Sequence, residues 1–313
     1  MAGLFERLAG RFSPGSKQDG DAALITEAVD AIVDAVEPKV RMHSRYRQKL
    51  EPSVRKTVSH LRALARTPLE PVLLTRAAWA TDPRVNAFFA TAADVPAILG
   101  RAPELQEFFA RSNAAEAYAL MGMRKTEMRE ETRTLVSFSD HRIVAPAATL
   151  EAARVELARR ILLRLAQAAL ARIIAVDEQA AELESRKGYL GARLRLLRLS
   201  EERDTGDIER QLKETVDAYI DAKGSLATLD GYIGHIDEVF SHPERHVALT
   251  HTALRVDRLG VKVEGEASGP VNDLALAELS IGPGLQAVIA AVRCPRAEMP
   301  SRADLIAQAE RSL

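Results

Sequence analysis

In Leu183-Glu-Ser-Arg-Lys-Gly-Tyr-Leu190-Gly-Ala-Arg-Leu-Arg-Leu-Leu197, leucine returns at every seventh position. The spacing extends upstream through Val176, Ala169, Leu162 and Val155, and a second line runs through Ala166, Ile173, Ala180, Lys187 and Leu194. After residue 207 the pattern resumes. Leu212, Tyr219, Leu226, Ile233 and Phe240 form one line, and Thr215, Ala222, Leu229 and Ile236 the other. Sustained seven-residue spacing is the mark of helices wound against a partner helix. Between the runs lies Ser200-Glu-Glu-Arg-Asp-Thr-Gly-Asp207, where apolar residues stop and Gly206-Asp207 reads as a break and a new N-cap. A short polar connection implies antiparallel neighbours. Folding about it sets Leu194 by Leu212, Leu183 by Ala222, Ala180 by Leu226 and Ala166 by Phe240, so that small residues face large ones.

The halves are unequal, ~75 Å against ~52 Å if fully helical. The start of the first, Ile161-Leu-Leu-Arg-Leu-Ala-Gln-Ala-Ala-Leu170, is apolar on nearly all sides and reads as buried on several faces. Residues 150–176 are therefore expected to root in a globular body and the tip, 186–215, to project.

Charged residues make up 28 % of the chain, aromatic residues 4 %, and the net charge is −1, so no global field draws in nucleic acid or an anionic membrane. Cys294 is the only cysteine, which excludes an intrachain disulfide and fits a reducing, cytoplasmic setting. No apolar run is long enough for a transmembrane helix. Leu4, Phe5, Leu8 and Phe12 share one helical face ahead of the Ser13–Gly20 linker, so residues 1–12 could touch a membrane surface or dock elsewhere.

From Asp21, Leu24, Ile25, Ala28, Val29, Ile32, Val33 and Val36 mark a helix that Pro38 interrupts. Residues 38–66 are strongly basic, with Arg45, Arg47, Lys49, Arg55 and Lys56 at the centre and Glu51 the only acid. Such a cluster can neutralise phosphates, or it is the solvated face of helices whose other side carries Val54, Val58, Leu61 and Leu64. Asp82-Pro83 and Ala102-Pro103 match helix starts with proline in the first turn. Residues 116–145 read as a β-hairpin turning at Arg129-Glu-Glu-Thr-Arg133, and Thr149 caps the long helix. After His242-Pro243, strands are expected at 247–256, 259–264, 274–279 and 285–293, and a final helix at 302–313.

Val85-Asn-Ala-Phe-Phe89 and Val136-Ser-Phe-Ser-Asp-His-Arg142 resemble segments of an uncharacterised family of proteobacterial proteins, over roughly residues 70–170. The resemblance implies no activity, cofactor or functional residue.

Ser137-Phe-Ser-Asp-His-Arg142 brings a hydroxyl, a carboxylate and an imidazole together, but strand neighbours point to opposite faces and would not meet as a dyad. His235, His242, His246 and His251 lie close in sequence, yet Pro243 breaks any metal-binding helix register. No phosphate loop is present, so neither catalytic residue, cofactor nor metal is assigned.

The expected fold class is α+β, predominantly α: a helical N-terminal region and a small antiparallel sheet from which a long antiparallel coiled-coil hairpin projects. The expected divisions are 1–20, 21–115, the sheet body 116–148 with 242–313, and the hairpin 149–241. The expected function is a non-enzymatic interaction protein whose arm binds a protein partner or a second copy. Arg186, Lys187, Arg193, Arg195 and Arg198 near the tip are the candidate docking residues. Polyanion binding by Arg45, Arg47, Lys49, Arg55 and Lys56, and an enzyme with no visible motif, are the alternatives.

Overall fold

The computed structural model describes residues 18–130, 133–200, 205–263, 271–282 and 284–300, excepting the side chains of 18–21. The segment expected at 1–12 and the helix expected at 302–313 lie outside the described residues. The described helices are α1 (Gln18–Val36), α2 (Tyr46–Ala65), α3 (Ala78–Thr81), α4 (Pro83–Phe88), α5 (Asp94–Gly100), α6 (Pro103–Arg111), α7 (Leu150–Leu199), α8 (Gly206–Leu226), α9 (Leu229–Ser241) and α10 (Pro243–His246). The strands are β1 (Val72–Leu73), β2 (Glu116–Arg129), β3 (Thr134–Ala147), β4 (Val247–Asp257), β5 (Val271–Ile281) and β6 (Leu285–Pro295). The fold is α+β, and no described helix is long and apolar enough to cross a membrane. The chain divides into two compact units, one holding residues 60–161 and 244–313, the other 17–59 and 162–243. The helical stretch 21–115 is thus shared between them.

The first unit is built on one sheet in the order β3-β2-β6-β5-β4, antiparallel except for β1, which pairs parallel with β6. The 116–145 hairpin and the later strands do share this sheet. The expected strand at 259–264 is reduced to two bridges, Leu135–Val261 and Val256–Lys262, which tie the outer strands β3 and β4 to one another. Gly260 makes this possible: its φ is +80°, and a Cβ there would stand 2.7 Å from the Val136 carbonyl oxygen.

Both faces of the sheet are covered. Ala119, Met121, Met123, Val288, Ala290 and Val292 share a core with Val85, Phe88, Phe89, Leu99, Leu105 and Phe109 from α4–α6. Leu120 and Ala291 point the other way, against Ala153, Leu150 and Leu157 of α7. The caps of α4, α6 and α7 form as the sequence predicts. Asp82 accepts from the Arg84 N–H, Pro83 and Pro103 open α4 and α6, and Thr149 Oγ1 accepts from Ala152. The cap read at Gly206-Asp207 does not form: α8 begins at Gly206 with Thr205 in the cap position, and Asp207 lies in its first turn.

Strand β3 departs from strict alternation. It carries one extra residue opposite β2 near Asp140 and another near Ala145, and both take left-handed backbone, φ 52° and 56°. For alanine that conformation costs about 1–2 kcal/mol. The bulge is held from outside: Glu104 accepts the Ala145 N–H at 3.0 Å and both terminal nitrogens of Arg160 at 2.8 Å. Burial would raise the Glu104 carboxyl, but the Arg160 and Ala145 hydrogen bonds outweigh it and hold the pKa below the ordinary carboxylate value.

In the second unit the heptad lines become buried positions. On α7, Leu162, Ala166, Ala169, Ile173, Ala180, Leu190 and Leu194 are buried, while Val176, Leu183, Lys187 and Leu197 are half-buried. Leu190, Leu194 and Ile208 cluster, with Leu197 and Leu212 packed against them. Further along, Lys223 Nζ lies 3.6 Å from Asp177 and Arg172 lies 2.5 Å from Glu238. Lys187, the polar interruption of the heptad line, places its ammonium 4.4 Å from the centre of the Tyr219 ring.

The return run, expected as one helix, is two. Thr228 leaves helical geometry at φ −127°, ψ 154°, and its side chain caps α9 by accepting from the Gly231 N–H. The heptad spacing survives the break, since Ile233, Ile236 and Phe240 remain buried. Val29, Ile32 and Val33 of α1 and Leu50, Val54 and Val58 of α2 are buried in the same unit. Thr57 Oγ1 donates to the Phe240 carbonyl at 2.6 Å and Lys56 Nζ to that of Ser241 at 2.5 Å.

Candidate functional site

Helix α7 has more leucines near its end than its seam can use. Leu190, Leu194 and Leu197 face the seam, but Tyr189, Ala192, Leu196 and Leu199 recur at three- and four-residue steps outside it. At 100° per residue that second stripe lies on the opposite side of the helix. It is open: Tyr189 is 63 % exposed, Leu196 66 % and Leu199 81 %. Isolated exposed apolar residues need no explanation, but a contiguous row does.

The candidate arginines distribute around this stripe. Arg186 and Arg193 lie along one flank and Arg195 along the other, all exposed. Arg195 Nε donates to the Gly191 carbonyl of its own helix, at 3.3 Å. Arg198 is turned towards α8, 2.9 Å from Glu209, whose carboxyl it and Thr205 hold below the ordinary value. Lys187 belongs to the seam. Of the five candidate residues, then, three border the exposed stripe and two serve the helix pair. The acids expected at 201, 202 and 204 lie outside the described residues.

The basic 38–66 stretch meets anions of its own chain. Arg47 is bidentate to Asp30 at 2.7 and 2.9 Å, and Tyr46 donates to the same carboxylate at 2.7 Å. Burial pushes Asp30 up, but the Arg47 and Tyr46 hydrogen bonds prevail and its pKa lies below the ordinary value. Lys49 and His43 both reach Asp230, at 2.5 and 3.1 Å, Arg55 pairs with Glu51 at 2.6 Å, and Lys56 caps the end of α9. Arg45 is exposed. The sequence counts only Glu51 against these cations because Asp30 and Asp230 come from other helices.

The weighed catalytic and metal motifs do not assemble. His141 stacks on Phe89, with ring centres 4.9 Å apart, and its Nε2 lies 2.8 Å from the Phe88 carbonyl; Asp140 turns to Arg124 at 3.0 Å. His235 lies against Arg172, whereas His251 sits on β4 in the other unit. Among the described residues no group of three or more His, Cys, Asp or Glu could hold a metal ion. Burial pushes the Cys294 thiol up to about 12, which leaves it unreactive.

The sequence reading missed a cleft of about 720 Å³ in the first unit, between β5 and the Pro68–Val72 run. It arises from strand pairing far apart in the chain, for which local periodicity carries no signal. Compared with protein-family models, with curated proteins and with solved structures, the chain matches none.

Proposed function

We propose that this is an interaction protein in which α7 and its return helices work as a coiled-coil arm, and that the outer face of α7 near residue 199 docks an acidic amphipathic helix of a partner protein. The observation that carries the reading is the stripe Tyr189, Ala192, Leu196 and Leu199 with arginine on both flanks. Apolar residues at three-four spacing are what a second helix packs into, and charges beside such a row choose the partner. Arg186 and Arg193 on one side and Arg195 on the other call for glutamate or aspartate opposite. A second copy presenting the same face would bring arginine against arginine, which electrostatic complementarity disfavours.

The seam behind the stripe supports the role, because a docking helix needs a rigid backing. Leu190, Leu194, Ile208 and Leu212 fix the side of α7 away from the stripe. The alternative, a polyanion held by Arg45, Arg47, Lys49, Arg55 and Lys56, would have to displace Asp30 and Asp230 from Arg47 and Lys49.

The test uses a synthetic three-heptad peptide with leucine at the a and d positions and glutamate at e and g, and a copy with lysine replacing glutamate. The acidic peptide should bind the full chain, more weakly as salt is added, and should be lost in Leu196→Asp and in Arg193→Glu. Equal binding of both peptides, or none of either, would overturn the reading. A dimer of the chain that Leu196→Asp dissolves would instead make the occupant a second copy.

A further inference from the structure

Strand β5 is paired along its whole length on one side only. β4 accompanies it from Asp257–Val271 to Val247–Ile281, whereas β6 meets it only from Ala277–Ile289 to Ile281–Leu285. Past that point β6 takes β1 instead, at Val72–Val292 and Leu73–Arg293. Among the described residues, β5 residues 271–276 therefore have no strand partner on the side facing β6. Ala290 and Ala291 of β6 lack one on the side facing β5. The sheet is split there, and the cleft of about 720 Å³ occupies the split.

Three properties of the split define what it could hold. Its walls carry strand edges, whose N–H and C=O groups pair with another extended backbone. Four of its strand side chains are small, Ala275, Ala277, Ala290 and Ala291, beside the larger His251, Leu276 and Ile289, so an added backbone could approach closely along the alanines. Leu69 and Ile289, which line it, also border an adjoining apolar recess with Leu249 and Leu279, a place for one apolar side chain. On the rim stand Glu70, Asp82 and Asp273; Asp82 is paired with Arg84 and Asp273 with Arg255, both at 3.0 Å, so that Glu70 is the rim acid with no ion pair among the described residues. The Glu70 carboxylate favours a lysine or arginine beside it over a phosphate.

We infer that the split between β5 and β6 binds an extended peptide segment of a partner protein, added as a strand against β5. An apolar residue enters the Leu69–Ile289 recess and a basic residue meets the Glu70 rim. The unpaired run 271–276 would accept about six residues, or ~20 Å of strand. This site is separate from the helix-docking face of α7 and uses main-chain recognition instead of knobs-into-holes packing.

The experiment selects dodecamer peptides from a phage library on the full chain, then synthesises the winning sequence. The expected result is enrichment of peptides with alternating apolar residues and a lysine or arginine. Ala275→Trp, which fills the cleft from an exposed position, should weaken the peptide at least tenfold, and Glu70→Lys on the rim should weaken it several-fold. Methylating backbone nitrogens one at a time should abolish binding at every second residue and spare the residues between, as a ladder requires. No enrichment over the Ala275→Trp chain would overturn the inference, as would a peptide indifferent to backbone methylation. Should Ala275→Trp fail to fold, the methylation pattern and Glu70→Lys decide by themselves.

Discussion

Replacing Gly231 by alanine should loosen the joint between α8 and α9, while the same change at Gly234, one turn further on, should tighten the helix. In α9 both changes gain propensity, about 0.5–1 kcal/mol each. Gly234 has open space around it. A Cβ on Gly231 would stand 1.6 Å from the Ser225 carbonyl oxygen and 2.7 Å from its carbon. Real Cβ atoms do not come within 3.0 Å of a neighbour, so the last turn of α8 must withdraw by roughly 1.4 Å, the difference between 3.0 and 1.6. Overpacking costs about 1–3 kcal/mol, and rigid backbone puts this case at the upper end. After the propensity gain, Gly231→Ala should lose ~2 kcal/mol, and the two variants should differ by ~3 kcal/mol. Urea unfolding followed by helical circular dichroism measures this as a shift in the midpoint of the transition. If Gly231→Ala unfolds at the same urea concentration as Gly234→Ala, the close approach of α8 to α9 is not real.

Leu194→Cys with Leu212→Cys should form a crosslink within one chain on oxidation; crosslinks only between chains would mean that the helices pair between copies. Glu104→Gln removes the carboxylate that binds Arg160 twice and the Ala145 N–H. With Glu104 about a third exposed, the loss should be ~1–2 kcal/mol, read as a fall in melting temperature that Glu107→Gln on the same helix does not produce. Burial holds the His141 imidazole below its ordinary 6.5, against the pull of the Phe88 carbonyl, Asp94 and Asp140. The unfolded chain therefore takes up this proton first. The stabilisation is complete above pH 6.5 and is lost as pH falls through the lower folded value. His141→Gln should flatten the fall of the stability curve below pH 6.5, and an unchanged slope would refute the assignment.

What the sequence shows and what it hides separate along a physical line. Periodicity and capping are local, so the heptad lines, the Asp82 and Thr149 caps and the β2–β3 hairpin are all legible. Pairing between distant residues is not. Nothing near Glu104 points to Arg160, and nothing near Arg47 points to Asp30. The run Ala287-Val-Ile-Ala-Ala-Val292 reads as a strand buried on both faces, yet it does not say that β5 leaves it halfway. The left-handed residues Asp140 and Ala145 are not glycines, so the bulges that turn β3 have no compositional sign. Thr228 caps α9, but the heptad spacing runs on across it and masks the break. The outer stripe on α7 is legible in the sequence, because Leu196 and Leu199 fall outside both heptad lines.

The measurement that bears most directly on the function is site-specific photocrosslinking in the native cell, with a benzophenone side chain in place of Leu196 and, as control, in place of Ile220, which is exposed on α8. Mapping the adduct to the residue level should place position 196 against an acidic amphipathic helix of another protein. The adduct should vanish when Arg186 and Arg193 are changed to glutamate, and position 220 should give none. An adduct at 196 that maps to a basic or extended segment, that persists after the charge reversal, or that is matched at 220, would contradict helix docking on the outer face of α7.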